Sequence, residues 1–479
     1  MVLQRGIPIH IWGWAQPEER IIVSLHNQSN STASDDLGQW SVYLPAMPAG
    51  GPFELTVQGS NTVTLTDVLI GDVWLASGQS NMEMPLIGFP GNAVVNDAEK
   101  EIASANLPQV RLMLVARKSS QWPLTDLEGS WTVCTPETAA HFSAVAYFFG
   151  REIQQRERVP IGLIDATWGG TPAEAWVSLG GLASNASLMP VFAARARLIE
   201  HQDQMPLIVA KEKRDDEAAK QAQQKPPKHS WHPQPESWEP AGLFNGTIAP
   251  ITPYPLRGVI WYQGESNSRA ILAPLYNKVF SELIADWRAK WHQGDFPFLY
   301  VQISSFTSDS SETWGIIRDA QRRTLSIANT GMAVSLDVGD PENVHPPDKQ
   351  TVGHRLALAA RALAYGESLE YSGPLFRQAV PGESSIEVWF DHDAGLAPKG
   401  PALLGFEVAG KDRGFVMANA RIEKGHVIVS SSEVTSPKYV RYGWGNVSDA
   451  NLINAAGLPT STFTSEEDVP APAVPFDAP

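Results

Sequence analysis

The sequence predicts an α/β fold, and three observations carry that reading. Short apolar runs of strand length recur between about residues 67 and 369, helical stretches separate them, and four runs end in loops rich in Gly, Ser, Asn, Gln or His. Strand and helix in alternation imply a parallel sheet covered on both faces. In such a sheet ligands bind beyond the carboxyl ends of the strands. The 479 residues exceed one ordinary core, so two or three domains are expected.

Residues 1 to about 66 read as all-β: Ile7, Ile9, Ile11, then Val23, Leu25, then Trp40, Val42, Leu44 alternate with other residues, and residues 48–52 mark a turn. Strands are then expected at Val73–Ala76, Val110–Leu114, Ile161–Ile164, Val259–Tyr262, Phe298–Val301 and Met332–Leu336. A helix follows His345, with Val352, Leu356, Ala359, Ala360 and Leu363 on one face and Gly366 at its cap. Residues about 183–240 interrupt the rhythm as an insertion over the strand ends: a solvated helix from Lys211 to Lys225, then an irregular run, residues 226–233, with His229, Trp231 and His232. For those two histidines a plain surface loop is expected ahead of substrate or metal contact. Alternation returns at Ile386–Phe390 and Val427–Val429, so residues 370–479 form a second β-rich region.

Hydrophobic content of 43% and charged content of 18% are ordinary for a globular protein, and no apolar run is long enough to span a bilayer. A formal charge of −16 argues against a nucleic-acid partner, which needs Lys and Arg for its phosphates. The single cysteine, Cys134, leaves no intrachain disulfide and no thiolate metal site, and its neighbours suggest a packed strand position. Sixteen Trp are numerous; most belong in the core, and the excess suits clefts that stack on sugar rings.

The chemistry sits in four loops: Gly78-Gln79-Ser80-Asn81-Met82, Trp168-Gly169-Gly170-Thr171, Gln263-Gly264-Glu265-Ser266-Asn267 and Asn343-Val344-His345-Pro346. A serine hydroxyl needs a base, and a neutral imidazole is the usual one. Acyl transfer also needs donors around the developing oxyanion, each worth roughly 3–4 kcal/mol. Backbone N–H of Ser80, backbone N–H of Gly169 or Gly170, and the Gln263 amide are the expected donors. Alone, each element reads more readily as structural than catalytic; their succession at strand ends reverses that. Met82 in place of glycine counts against a typical α/β-hydrolase elbow.

Ala76–Met84, Trp261–Asn267 and Val344–Gln350 closely resemble the sialate O-acetylesterase family of carbohydrate esterases, within the SGNH hydrolases. The resemblance extends to Met1–Arg5, Leu243–Gly246 and Val440–Trp444. It implies a flavodoxin-like three-layer SGNH hydrolase domain over 67–369, accessory β-rich, sandwich-like regions at 1–66 and 370–479, and hydrolysis of sugar O-acetyl groups without metal or cofactor. By position, Ser80 is the nucleophile and His345 the general base. Gly169 or Gly170 and Gln263 match the oxyanion elements; Glu265, Ser266 and Asn267 tie the loops together. The acid of the triad is Asp340 by the Gly339-Asp340 pattern or Glu342 by its spacing from the histidine, with Asn343 two positions before the ring and a backbone carbonyl as a further alternative; Asp340 is preferred.

Relatives usually carry a secretion signal, which makes a trimmed N-terminus and a periplasmic or secreted site the expectation. The sugar is expected over Trp176, Trp261 or the Trp231–Trp238 insertion, with the acetyl pocket walled by Trp168. Arg257, Arg269 and Arg318 read as structural or solvated, so no clamp for a sialate carboxylate stands out, and acetylated plant glycans such as xyloglucan or xylan are mildly preferred over acetylated sialic acid. A glycan-binding module with degenerate hydrolase loops, and a lipase-like or peptidase-like enzyme, are the competing readings.

Overall fold

The computed structural model describes residues 1–479 apart from 201, 228, 230, 270, 309–311 and 470–479. Lys228 and Ser230 of the proline-rich run, and the last ten positions of the expected C-terminal region, therefore lie outside the described residues.

A large mixed sheet organises the chain. Its central strands are β1 (Thr62–Gly78), β2 (Leu107–Leu114), β3 (Trp131–Cys134), β4 (Ile161–Thr167), β5 (Gly258–Tyr262), β6 (Phe298–Gln302) and β7 (Thr330–Val334), in the spatial order β7-β6-β5-β1-β4-β2-β3. All neighbours run parallel except β2 and β3. Setting aside the β2–β3 edge hairpin, the first strand stands between the second and third, which makes a switch point at β1. Every residue of β4, β5, β6 and β7 is buried, as expected of strands covered on both faces.

Alternating side chains show the two covering layers. Trp74 meets Phe149 of helix α1 (Ala144–Glu157), and Leu299 lies beside Gly331 and Ala359 of the helix after His345. On the opposite face Trp261, Phe298 and Tyr300 pack on Phe280 of helix α2 (Tyr276–Trp291), and Tyr300 donates to Gln321 of helix α3 (Trp314–Thr324). Helix α4 (Lys349–Leu363) starts where the Asp348 side chain accepts from Thr351 N–H. Cys134 closes β3 and is fully buried.

The N-terminal strands have a core of their own around Ile9, Ile11, Val23, Trp40 and Val42. They do not end at residue 66: β1 pairs with Gly50–Gln58 in its first half, then enters the central sheet without a break. After α4 come two four-stranded antiparallel arrays enclosing Val388, Phe390, Phe406, Val429 and Phe463, so β-rich regions flank the α/β part at both ends. The insertion carries helices Pro190–Glu200 and Met205–Gln221, the second without a buried residue. Among the described residues no helix is long and apolar enough to cross a membrane.

Candidate active site

The four loops meet at the carboxyl edge around β1. Strand β1 ends at Gly78, whose φ of +128° suits glycine, and a Cβ there would stand 2.3 Å from the carbonyl oxygen of Tyr262. Gln79 N–H donates to that same oxygen at 2.9 Å. Ser80 opens a one-turn helix, Ser80–Glu83, so its own N–H precedes any helical carbonyl that could accept it.

The next residue ties the site together. Asn81 Nδ2 donates to Glu265 Oε1 at 2.7 Å and to the Val344 carbonyl at 2.9 Å, while its Oδ1 accepts from Lys349 Nζ at 2.5 Å. One amide thus joins the serine loop, the Gln263 loop and the residue before His345. Asn81 and Lys349 are fully buried. Burial, opposed by Glu265 and Asp348, pulls the Lys349 ammonium down to about 7, and burial pushes the Glu265 carboxyl up.

The glycine loop is held from three sides. Trp168 N–H donates to the Gly78 carbonyl at 3.1 Å, Trp238 Nε1 donates to the Gly170 carbonyl at 2.7 Å, and Gly169 N–H donates to the Glu83 carboxylate, which also pairs with Arg117. A Cβ on Gly169 would lie 3.2 Å from Ser80 Cβ, so this loop abuts the serine. Burial raises the Glu83 carboxyl pKa, against the pull of Arg117 and the Gly169 N–H. A cleft of about 690 Å³ opens beside Glu83, Phe89, Arg117 and Asp165.

Gln263 departs from its expected part. Its Nε2 donates to Asn267 Oδ1 at 2.6 Å and to the Thr171 carbonyl at 3.2 Å, and its Oε1 accepts from Tyr276 at 3.0 Å. Both amide hydrogens are committed inside the protein, so in this conformation the side chain braces the glycine loop and offers no donor to an acyl oxygen. Asn267 extends the brace, accepting from Ala173 N–H and donating to Glu174. Gln79 Oε1 accepts from Gly264 and Ser266 N–H at 3.4 and 3.2 Å.

His345 stands half-buried with Phe89 edge-on at 5.1 Å between ring centres. The His345 backbone N–H donates to Asn343 Oδ1 at 2.9 Å. The preferred acid is elsewhere: Asp340 Oδ1 accepts from Glu342 N–H at 2.8 Å, a bond that closes its own turn, and His345 Nδ1 is buried with no hydrogen-bond partner among the described residues. Neither Asp340 nor Glu342 reaches the ring in this conformation. Burial, reinforced by the positive charge of Lys349, brings the imidazole down to about 4.

Two of the expected sugar platforms are also corrected. Trp176 and Trp261 are fully buried and pack on each other and on α2, because strand and turn residues between two layers face the core. Trp231 is 52% exposed. His229 and His232 bond to Asp216 and Glu212, fastening the irregular run to the solvated helix. Asn81, Glu83 and Lys349 were not singled out from sequence, although all lie in or beside the motif segments; a polar side chain's burial leaves no periodic mark.

Known proteins resemble this chain in sequence and in fold. The family described as carbohydrate esterase, sialic acid-specific acetylesterase matches residues 238–362. Sialate O-acetylesterases from Homo sapiens and Mus musculus are each 34% identical over 405 residues, covering 76% of this chain and 69% and 72% of theirs. A carbohydrate acetylesterase structure from Xanthomonas citri superposes with a TM-score of 0.83 at 37% identity, covering 98% of this chain and 97% of that one. With two thirds of those relatives' length matched and the fold shared nearly end to end, the chain belongs to the sialate O-acetylesterase family of carbohydrate esterases and is an ester hydrolase.

Proposed function

We propose that the protein removes O-acetyl groups from sugars through Ser80 and His345. The observation that carries this reading is the bond from Asn81 to the Val344 carbonyl, which fastens the serine's neighbour to the histidine's across 263 positions of sequence. With Nδ1 of His345 buried, Nε2 is the nitrogen that takes the proton from Ser80 Oγ as that oxygen attacks the acetyl carbonyl. The tetrahedral oxyanion is received by Ser80 N–H and by Gly170 N–H, since Gly169 N–H and the Gln263 amide are spoken for. His345 then protonates the departing sugar oxygen, and water, deprotonated by the same imidazole, releases acetate from the acetyl-serine.

The switch point at β1 and helices on both faces support a flavodoxin-like, three-layer SGNH-type domain over 67–369. Arg117, which lies against the serine loop, is paired with Glu83, and this supports neutral acetylated glycans over sugars that present a carboxylate. A periplasmic or secreted site goes with such substrates. The test is acetate release from acetylated xylo-oligosaccharides and from O-acetylated sialic acid, with wild type and Ser80→Ala. The variant is expected to lose at least about 10⁴-fold in kcat. Retention of wild-type turnover by Ser80→Ala would end the proposal.

A further inference from the structure

We infer that Trp231 is a sugar-stacking subsite, its indole face receiving the pyranose ring that bears the acetyl group. This rests on the esterase reading above and adds to it where the alcohol half of the ester sits.

The position is fixed by contact. A Cβ on Gly170 would stand 2.4 Å from the Trp231 ring, so the indole lies directly on the glycine loop. Gly169, the adjoining residue, abuts Ser80. Trp231 therefore borders the reacting serine, two residues removed through contacts. It is not there to fill a core: half of the side chain faces solvent, where a large apolar ring forgoes the stabilisation that burial brings. The protein holds it in that place nonetheless. His232 bonds to Glu212 at 2.9 Å and His229 to Asp216 at 2.8 Å on either side of it, and Trp238 backs it at 6.1 Å between ring centres while bonding to Gly170.

The chemistry of the surface selects the occupant. An exposed indole face offers a flat, polarisable, electron-rich surface, which the C–H face of a pyranose ring matches while its hydroxyls stay wet. Arg269 lies over the face of the backing Trp238 ring at 5.9 Å and helps to hold that indole in place. A bare acetyl group is too small to need such a platform. The site thus has a small part around the glycine loop for the acyl group and a broad aromatic part for the sugar.

The experiment compares two esters on the full chain: the acetylated oligosaccharide that wild type hydrolyses fastest, and ethyl acetate, whose alcohol has no ring. For Trp231→Ala the ratio of kcat/KM between sugar acetate and ethyl acetate is expected to fall roughly five- to tenfold, mainly through KM, and Trp231→Phe to recover most of it. An unchanged ratio, whether both rates fall together or neither moves, overturns the inference, because Trp231 then only props the glycine loop or does nothing. It also falls if wild type shows no preference for any sugar acetate over ethyl acetate. Failure of the esterase reading is separately visible, as full activity of Ser80→Ala on both esters.

Discussion

In the proposed reaction His345 accepts a proton at Nε2 and carries its hydrogen on Nδ1, which is buried with no acceptor among the described residues. No described residue bonds that nitrogen to steady the cation, and burial, with the Lys349 charge, lowers its pKa from 6.5 to about 4. The imidazole consequently remains a competent base in mild acid, and the acidic limb of kcat/KM is expected well below pH 6, towards 4; a limb at or above pH 6.5 would refute this. The linkage has a definite sign. Since the folded ring binds its proton less readily than the unfolded one, its contribution to stability is full above pH 6.5 and is lost as pH falls towards 4. Asp340 is turned to Glu342 N–H, so Asp340→Asn should cost less than about tenfold in kcat, far below the loss for a triad acid. A loss of about 10⁴-fold would mean that the loop rearranges to bring that carboxylate to the ring. The loops that carry Ser80 and His345 were legible from their positions after apolar strands. The hydrogen bonding inside the histidine loop was not, because several carboxylates and amides crowd the same turn and only the backbone path decides which one faces the ring.

At the scale of elements, the strands of the central sheet were legible because burial on both faces leaves uninterrupted apolar runs, as in Val259–Tyr262 and Phe298–Val301. The last apolar run extends to Leu336, whereas β7 stops at Val334 and Leu336–Val338 makes a 3₁₀ turn that begins the histidine loop; apolar character persists through a turn that is itself packed. What sequence did not reveal is how the loops are clamped. Lys349 opens α4, Asn81 follows Ser80, Glu265 begins its own short turn, and the three meet only in the folded protein. Removing Asn81 takes a hydrogen bond from a buried amine and a buried carboxyl at once, at about 1–3 kcal/mol for each group left unsatisfied. Asn81→Ala should therefore unfold at markedly lower denaturant and lose kcat by more than 10²-fold on the order of catalytic misplacement, with KM little changed. Lys349→Met, which removes the charge and keeps an apolar stem over the Tyr262 ring, should recover part of the stability but not the turnover. Equal, near-wild-type turnover in both variants would show that the clamp does not set the register of Ser80 and His345.

On the scale of the whole molecule, the motif Val440–Trp444 finds its explanation away from the chemistry. Arg318 of α3 is fully buried, and its Nη2 donates to the carbonyls of Gly443 at 3.0 Å, Trp444 at 3.3 Å and Gly445. Asn446 Oδ1 accepts from Trp314 N–H at the start of the same helix, and a Cβ on Gly315 would run into the Trp444 carbonyl. The C-terminal β region is thus fastened to the helix that covers β6 and β7, the strands leading to the histidine loop. Arg318→Met keeps most of the apolar length but removes the donor these three carbonyls share; Gly443 keeps the Thr462 hydroxyl at 3.0 Å and Gly445 reaches solvent, so the cost is about 1–3 kcal/mol for a single carbonyl left unsatisfied. The loss falls on the docking contact, not on either core, because the β region encloses its own cluster around Phe390, Phe406 and Phe463. The variant should therefore come apart there first. Limited proteolysis is expected to cut near the 364–374 connection at protease levels that leave wild type intact, with both halves still resisting further digestion. Cleavage patterns identical to wild type would show that other contacts carry the docking, and simultaneous digestion of both halves would show that the two regions unfold as one unit.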